Sequence, residues 1–271
     1  MPSRITVMTY NVRYDNPNDG EYVWHRRRDE VASVVRFHHP DLVGLQEASP
    51  DQLEDMRDRL PEFEWLVAGR PSVENAGEYP AIGYDRARFN LESDDTFWLS
   101  ETPDVPGSLG WDAMLPRLVK YVRLRERDTG VQLYHFNTHF DHAGETARLE
   151  SAHLLRDRID DVAVDLPLVL TGDFNSRQGS PPYRYLTERD KSSPGRTLVD
   201  THRVTQQRHH GPGTTMTDFR NLIPDKKIDY VFVTDDVEVV GHGVCADSFD
   251  NGIFPSDHLP VRVELLFPES T

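Results

Sequence analysis

The chain has 271 residues, of which 37 % are hydrophobic and 28 % charged, and its formal net charge is −16. That length suits one large α/β domain or two small ones, the balance excludes a disordered or membrane chain, and with no dividing linker a single domain over residues 1–271 is expected. A single cysteine, Cys245, excludes a disulfide framework, a Cys-rich zinc site and an iron–sulfur cluster.

No apolar run approaches the ~20 residues of a membrane-spanning helix. The polar, strand-like start at residues 4–8 is not that of a secretory leader. The expectation is a cytoplasmic protein that works as a monomer away from membranes. Its acidity disfavours avid nonspecific nucleic-acid binding, but a divalent cation could still reverse the field locally at a phosphoester. Lysine is confined to Lys120, Lys191, Lys226 and Lys227, a usage that suits a high-salt cytoplasm or a GC-rich genome.

Residues 5–12 alternate as a strand that ends at Tyr10-Asn11, and residues 16–20 read as a loop. Helical spacing of Val31, Val34, Val35 and His38 predicts a helix over 24–38, closed by Pro40. A short buried strand over 41–47 ends in Glu47. Ser49, Pro50 and Gln52 then form a capping box that opens a helix running to Leu60. Short strands are expected at 64–68, 81–84, 88–92 and 96–99, followed by a long loop over 101–115. Residues 119–125 and 131–138 read as a hairpin across Asp128-Thr129-Gly130. The strongest helix covers 144–162, with Leu149, Ala152, Leu155 and Ile159 on one face. An apolar strand over 168–173 leads into Asp173-Phe174-Asn175, and a short helix follows at 182–186. Residues 191–225 read mostly as loop, interrupted at 197–201. The last strands are expected at 228–233, 237–244 and 259–266. Strands outnumber helices, which predicts two sheets packed together with helices outside.

Five of these strand ends carry polar chemistry: Asn11, Glu47, His139, Asp173 with Asn175, and Asp257-His258; Asp229 lies within a sixth strand. Asp173 and Asn175 stand two residues apart, so on an extended backbone they face the same side. Taken singly, each has a plainer reading. Asn11 and Gly172-Asp173-Asn175 could make turns, and Glu47 could be a solvated strand end. His139 could join Asp141 and His142 at the surface, Asp229 could pair with Lys226-Lys227, and Asp257 could be a cap.

Taken together and in order, Thr9-Tyr10-Asn11-Val12, Leu45-Gln46-Glu47, Asn137-Thr138-His139, Thr171-Gly172-Asp173-Phe174-Asn175, Ile228-Asp229-Tyr230 and Ser256-Asp257-His258 resemble the endonuclease/exonuclease/phosphatase superfamily. Its members include relatives of DNase I and of abasic-site endonucleases. The stretch Thr96-Phe97-Trp98-Leu99-Ser100-Glu101-Thr102-Pro103, with Gly77-Glu78-Tyr79 and Gly144-Glu145, is similar to a mostly prokaryotic branch. The resemblance implies a four-layered α/β sandwich, with two central mixed β-sheets flanked by helices. It also implies a divalent-metal-dependent hydrolase of phosphodiester or phosphomonoester bonds, working by water attack on phosphorus. In that reading Asn11 and Glu47 bind Mg2+ or Mn2+, Asp257 supports the metal shell or the nucleophile, and Asp173 activates water. Asn175 donates to a phosphoryl oxygen, His139 donates to the charged transition state, His258 contacts the phosphate or transfers a proton, and Asp229 holds the His258 ring. The DNA-repair branch carries an acid two positions after the strand-end Asn. Here that position is Arg13, which argues against an abasic-DNA substrate and makes Arg13 a candidate substrate contact.

A nuclease needs a basic track with aromatics, for which Arg26-Arg27-Arg28 is the candidate. Loops carrying Trp24, Tyr79, Trp98 and Trp111 could instead shape a pocket for a smaller phosphoester, which the acidic balance favours. A non-catalytic binding module is disfavoured because no member of the set is missing. His209-His210 and the pair His139 and His142 suggest a zinc hydrolase, but no HExxH helix accompanies them.

Overall fold

A computed structural model describes residues 2–67, 79–188 and 195–269. Gly77-Glu78, Ala68 and Lys191 from the sequence reading lie outside these residues.

The first sheet begins with β1 (Ser3–Asn11), whose alternation puts Ile5 and Val7 on one face and Met8 and Tyr10 on the other. Helix α1 (Trp24–His38) returns the chain to β2 (Leu42–Ala48), which pairs parallel to β1. Then come α2 (Pro50–Arg59), opened by the capping box of Ser49 and Gln52, and the strands β3 (Phe63–Val67) and β4 (Tyr79–Asp85). The second sheet starts at β5 (Phe89–Trp98), where the sequence predicts two strands. The two are one, joined through a bulge between Leu91 and Ser93 whose exposed charges give no apolar alternation to read. The hairpin of β6 (Leu118–Glu126) and β7 (Gln132–His139) turns as expected.

From β7, helix α3 (Glu145–Val162) crosses over to β8 (Leu168–Asp173), again a parallel neighbour. On α3 the buried face is Ala147, Ala152, Leu155 and Ile159, so Ala147 stands in for the predicted Leu149. After α4 (Pro181–Thr187), β9 (Leu198–Asp200), α5 (Thr201–Val204) and β10 (Asp229–Thr234), the chain rejoins the first sheet through β11 (Glu238–Val244) and β12 (Val261–Phe267). The orders are β11-β12-β1-β2-β4-β3 and β5-β6-β7-β8-β10-β9.

Four layers result. Val31, Val34 and Val35 of α1 and Leu53 and Met56 of α2 cover the outer face of the first sheet. Leu155 and Ile159 of α3 and Tyr183 and Leu186 of α4 cover that of the second. Each such fully buried aliphatic side chain contributes about 1.5–3 kcal/mol. Between the sheets an apolar core joins Ile5, Val7, Leu133, Val169, Val231 and Val261.

That inner core changes character along its length. On β1 the face of Ile5 and Val7 continues as Thr9 and Asn11; on β7 that of Leu133 continues as His135, Asn137 and His139; on β8 that of Val169 continues as Thr171 and Asp173. Gln46 donates to Asn137 Oδ1 across the sheets at 2.7 Å, and Asn137 Nδ2 donates back to Leu45 O and Ala81 O at 2.8 Å. A Cβ on Gly44 would sit 2.2 Å from Thr171 Oγ1, so the bridge needs glycine there. Buried polar groups without such partners would be costly.

Candidate active site

The crossover helices α1 and α3 make β1, β2, β7 and β8 run the same way within each parallel pair. Their carboxyl ends therefore deliver Asn11, Glu47, His139 and Asp173 to one edge of the sandwich, where the antiparallel β10 begins with Asp229 opposite Asp173. Asp257 and His258 enter from the approach to β12 and are anchored because Ser256 Oγ donates to Asn11 O at 2.7 Å.

Asp173 is the hub. Its Oδ2 accepts from Asn11 Nδ2 at 3.1 Å and lies 3.4 Å from His139 Nε2 and 3.8 Å from His258 Nε2. Its Oδ1 accepts from the Asn175 backbone N–H at 2.9 Å. Asn11 Nδ2 also donates to Glu47 Oε1 at 2.9 Å, and His258 Nδ1 is 2.9 Å from Asp229 Oδ2. Asn175 Nδ2 donates to Phe140 O at 3.0 Å and lies 3.1 Å from His139 Nε2. Arg13 is held by Asp19 at 3.0 Å and lies 3.7 Å from Asp257, at the rim of the group. His139, Asp173, Asp229 and His258 are all buried, so the solvated-surface alternatives for His139 and Asp229 fall away.

Arg13, Glu47 and Asn175 have left-handed backbone, with φ of 58°, 63° and 45°. Such residues cost about 1–3 kcal/mol each unless their surroundings compensate. Compensation is visible here. The Arg13 N–H donates to Asn11 Oδ1 and the Asn175 N–H to Asp173 Oδ1, while Glu47 Oε2 accepts from the Tyr14 N–H.

Burial, together with the charge of Asp229, pushes the Asp173 carboxyl up to about 7. Burial opposes charge on His258, yet the Asp229 carboxylate, helped by Asp173 and Asp257, holds its imidazole well above the ordinary range. His139 goes the other way: burial and the positive charges of Arg117 and His258 hold it well below, so it is neutral. Asp257 is raised by burial and by the charge of Glu47.

Among the described residues, two groups of side chains in this site could hold a metal ion, Glu47 with His139 and Asp173, and Asp173 with Asp229 and His258; within each group the ligand atoms lie within 4.8 Å of one another. Asp173 belongs to both and Asp257 to neither. Carboxylate oxygens crowded to the point of raising Asp173 form a donor set that a hard divalent cation would stabilise. The group can thus polarise a bound anion, take a proton at Asp173 and donate from two imidazoles.

The candidate basic track does not form. Arg27 is 5 % exposed. It donates from Nε to Tyr22 O, from Nη1 to Val12 O and Pro255 O, and from Nη2 to Arg13 O and Tyr14 O. Arg28 is paired with Asp55 at 3.0 Å. Three consecutive helical residues diverge around the axis, and α1 turns the middle one inward.

Other supporting residues carry no sequence signal. Arg117 Nη1 reaches His139 Nδ1 at 3.1 Å. Thr215 Oγ1 accepts from the Asp229 N–H at 3.3 Å, and the Thr217 N–H donates to Asp257 O at 2.7 Å. The stretch read as loop thus spans Asp229 and Asp257.

Residues 8–258 match the model of the Endonuclease/Exonuclease/phosphatase family. A family protein from Bacteroides thetaiotaomicron shares 35 % identity with a TM-score of 0.91, covering 99 % of both chains. A mannosyl-6-phosphatase of the same organism shares 34 % identity with a TM-score of 0.89, covering 97 % of this chain and 100 % of its own. An uncharacterized protein of Acanthamoeba polyphaga mimivirus is 28 % identical over 257 residues, 89 % of this chain and 92 % of its own. Members of this family are hydrolases acting on phosphoesters and generally depend on a divalent metal. The two sheets, the order of the motifs and these similarities place the chain in the endonuclease/exonuclease/phosphatase family.

Proposed function

We propose that the chain is a Mg2+- or Mn2+-dependent phosphoesterase whose preferred substrate is a small phosphomonoester. The observation that carries this reading is the position of Asp173 Oδ2, within 3.8 Å of Asn11, His139 and His258 donors in a buried site.

Glu47 and Asn11, supported by Asp257, would hold the metal, whose charge would offset that of a phosphoryl oxygen. Asp173 takes the proton of the attacking water as the new O–P bond forms and the ester P–O bond breaks. His258, kept cationic by Asp229, donates from Nε2 to the phosphoryl group. Neutral His139 donates from its own Nε2–H, and Asn175 adds an amide N–H. The donors sit where negative charge develops, so each contributes more to the transition state than to the bound ester.

Arg13 and Arg220 are paired with Asp19 and Glu21, Arg27 is spent on carbonyls, and the chain is strongly acidic. These features disfavour a long polyanion. Similarity to a mannosyl-6-phosphatase points the same way.

The test is a substrate panel with and without EDTA. Expected results are hydrolysis of p-nitrophenyl phosphate and sugar phosphates in preference to bis-p-nitrophenyl phosphate, DNA and RNA, loss of activity in EDTA, and recovery with Mg2+ or Mn2+. Activity indifferent to EDTA rejects the metal, and preference for polynucleotide rejects the small substrate in favour of a nuclease.

A further inference from the structure

Away from the active site, the C-terminal end of α1 meets the segment that follows β11. His38 Nε2 lies 2.8 Å from Asp247 Oδ2, and Cys245 completes a trio whose ligand atoms are all within 4.8 Å of one another. Sulfur, imidazole nitrogen and carboxylate oxygen together make a donor set for a borderline-soft ion, unlike the oxygen-dominated group around Glu47. Cys245 is 7 % exposed, and it is the only cysteine in the chain, so no disulfide accounts for it.

Tyr10 is 1 % exposed, and its hydroxyl has no hydrogen-bond partner among the described residues. The charges that act on that hydroxyl are those of Arg27, Asp247, Asp257 and Cys245, so two members of the trio are among them. A buried hydroxyl left unpaired calls for an explanation, and a metal-bound water is a partner of the right kind.

We propose that His38, Cys245 and Asp247 form a zinc site, with water in the fourth position. Zinc bonds of about 2.0–2.3 Å with tetrahedral angles put neighbouring ligand atoms roughly 3.3–3.8 Å apart. Binding would therefore open the His38–Asp247 hydrogen bond and draw the sulfur inward. The occupied site would fasten α1, which also carries Arg27, to the segment that runs on to Asp257 and His258.

Because the chain has one thiol, Co2+ reports on this site alone: a thiolate-to-cobalt charge-transfer band can arise only from Cys245. The full chain, freed of metal with a chelator, is titrated with Co2+ and then challenged with Zn2+. The band is expected in the unaltered chain and in Glu47→Gln, erased by Zn2+, and absent in Cys245→Ser. In His38→Ala and Asp247→Asn it should require about 100-fold more Co2+. Thermal melting with and without Zn2+ supplies a second reading: the rise in Tm should survive Glu47→Gln and vanish in His38→Ala. No band at saturating Co2+, or a band unchanged by His38→Ala, overturns the proposal.

Discussion

Arg117 Nη1 lies 3.1 Å from Nδ1 of His139, opposite the ring nitrogen that faces the centre of the site. A guanidinium can only donate, so this contact favours the tautomer in which Nδ1 accepts and Nε2 carries the proton, while the Asn175 amide nitrogen, 3.1 Å from Nε2, favours the other. Nε2 lies 3.4 Å from Asp173 Oδ2. Arg117 is itself buried, between His139, His142 and Asp141. It acts as a positioning residue, reaching the chemistry only through the imidazole.

Arg117→Met should therefore lower kcat by about 10–100-fold while leaving KM nearly unchanged. Arg117→Lys keeps a donor and should recover part of the loss. Steady-state kinetics beside a thermal melt separate this from misfolding. A folded Met variant with kcat within about twofold of the parent removes Arg117 from the mechanism.

Donation from a cationic His258 should show in the pH dependence. Asp229 favours the protonated ring, so in the parent chain His258 stays charged well above the ordinary histidine range. Asp229→Asn keeps the size of the side chain and removes that support. The alkaline limb of the kcat/KM profile should move to lower pH, because the donor now loses its proton earlier. A limb that stays put assigns it to another group.

His135 offers a stability test remote from the chemistry. Burial alone depresses its pKa from 6.5 to about 3, and its Nε2 is bonded to Thr171 Oγ1. Between those values the unfolded chain binds a proton that the folded chain refuses. Its contribution is fully present above the unfolded value and is lost as pH falls toward the folded one, by up to about 1.4 kcal/mol per pH unit. Urea unfolding at a series of pH values should show a shallower acid decline in His135→Gln than in the parent; equal slopes refute the assignment.

Arg27→Met should destabilise the chain by about 3 kcal/mol, since it strips the buried carbonyls of Val12 and Pro255 of their donor. The urea midpoint measures it. A loss no larger than that of Arg26→Met, at an exposed position, contradicts the stapling role.

The sequence disclosed elements whose code is local. The capping box of α2, the parallel apolar strand β8 and the order of polar strand ends were legible because each is written in consecutive residues. The division of β5 into two strands failed where bulge and edge charges removed the alternation. Arg27 stood with its neighbours as a candidate basic track because a triplet of arginines does not say which one the helix turns inward. Arg117, Thr215 and Thr217 were invisible for another reason: their partners lie far off in the chain, and only the fold brings them together.

The second sheet is one uninterrupted stretch from β5 to β10, inserted between strands of the first. Asn11, Glu47, Asp257 and His258 ride on one slab, and His139, Asp173 and Asp229 on the other. Neither slab alone holds a working set of groups, so competence depends on alignment between them. The Gln46–Asn137 bridge then acts as a locating pin, fixing shear at the point where an apolar interface would let the slabs slide. Loosening it would detune the site while each half still stood, so inactivation could run ahead of unfolding.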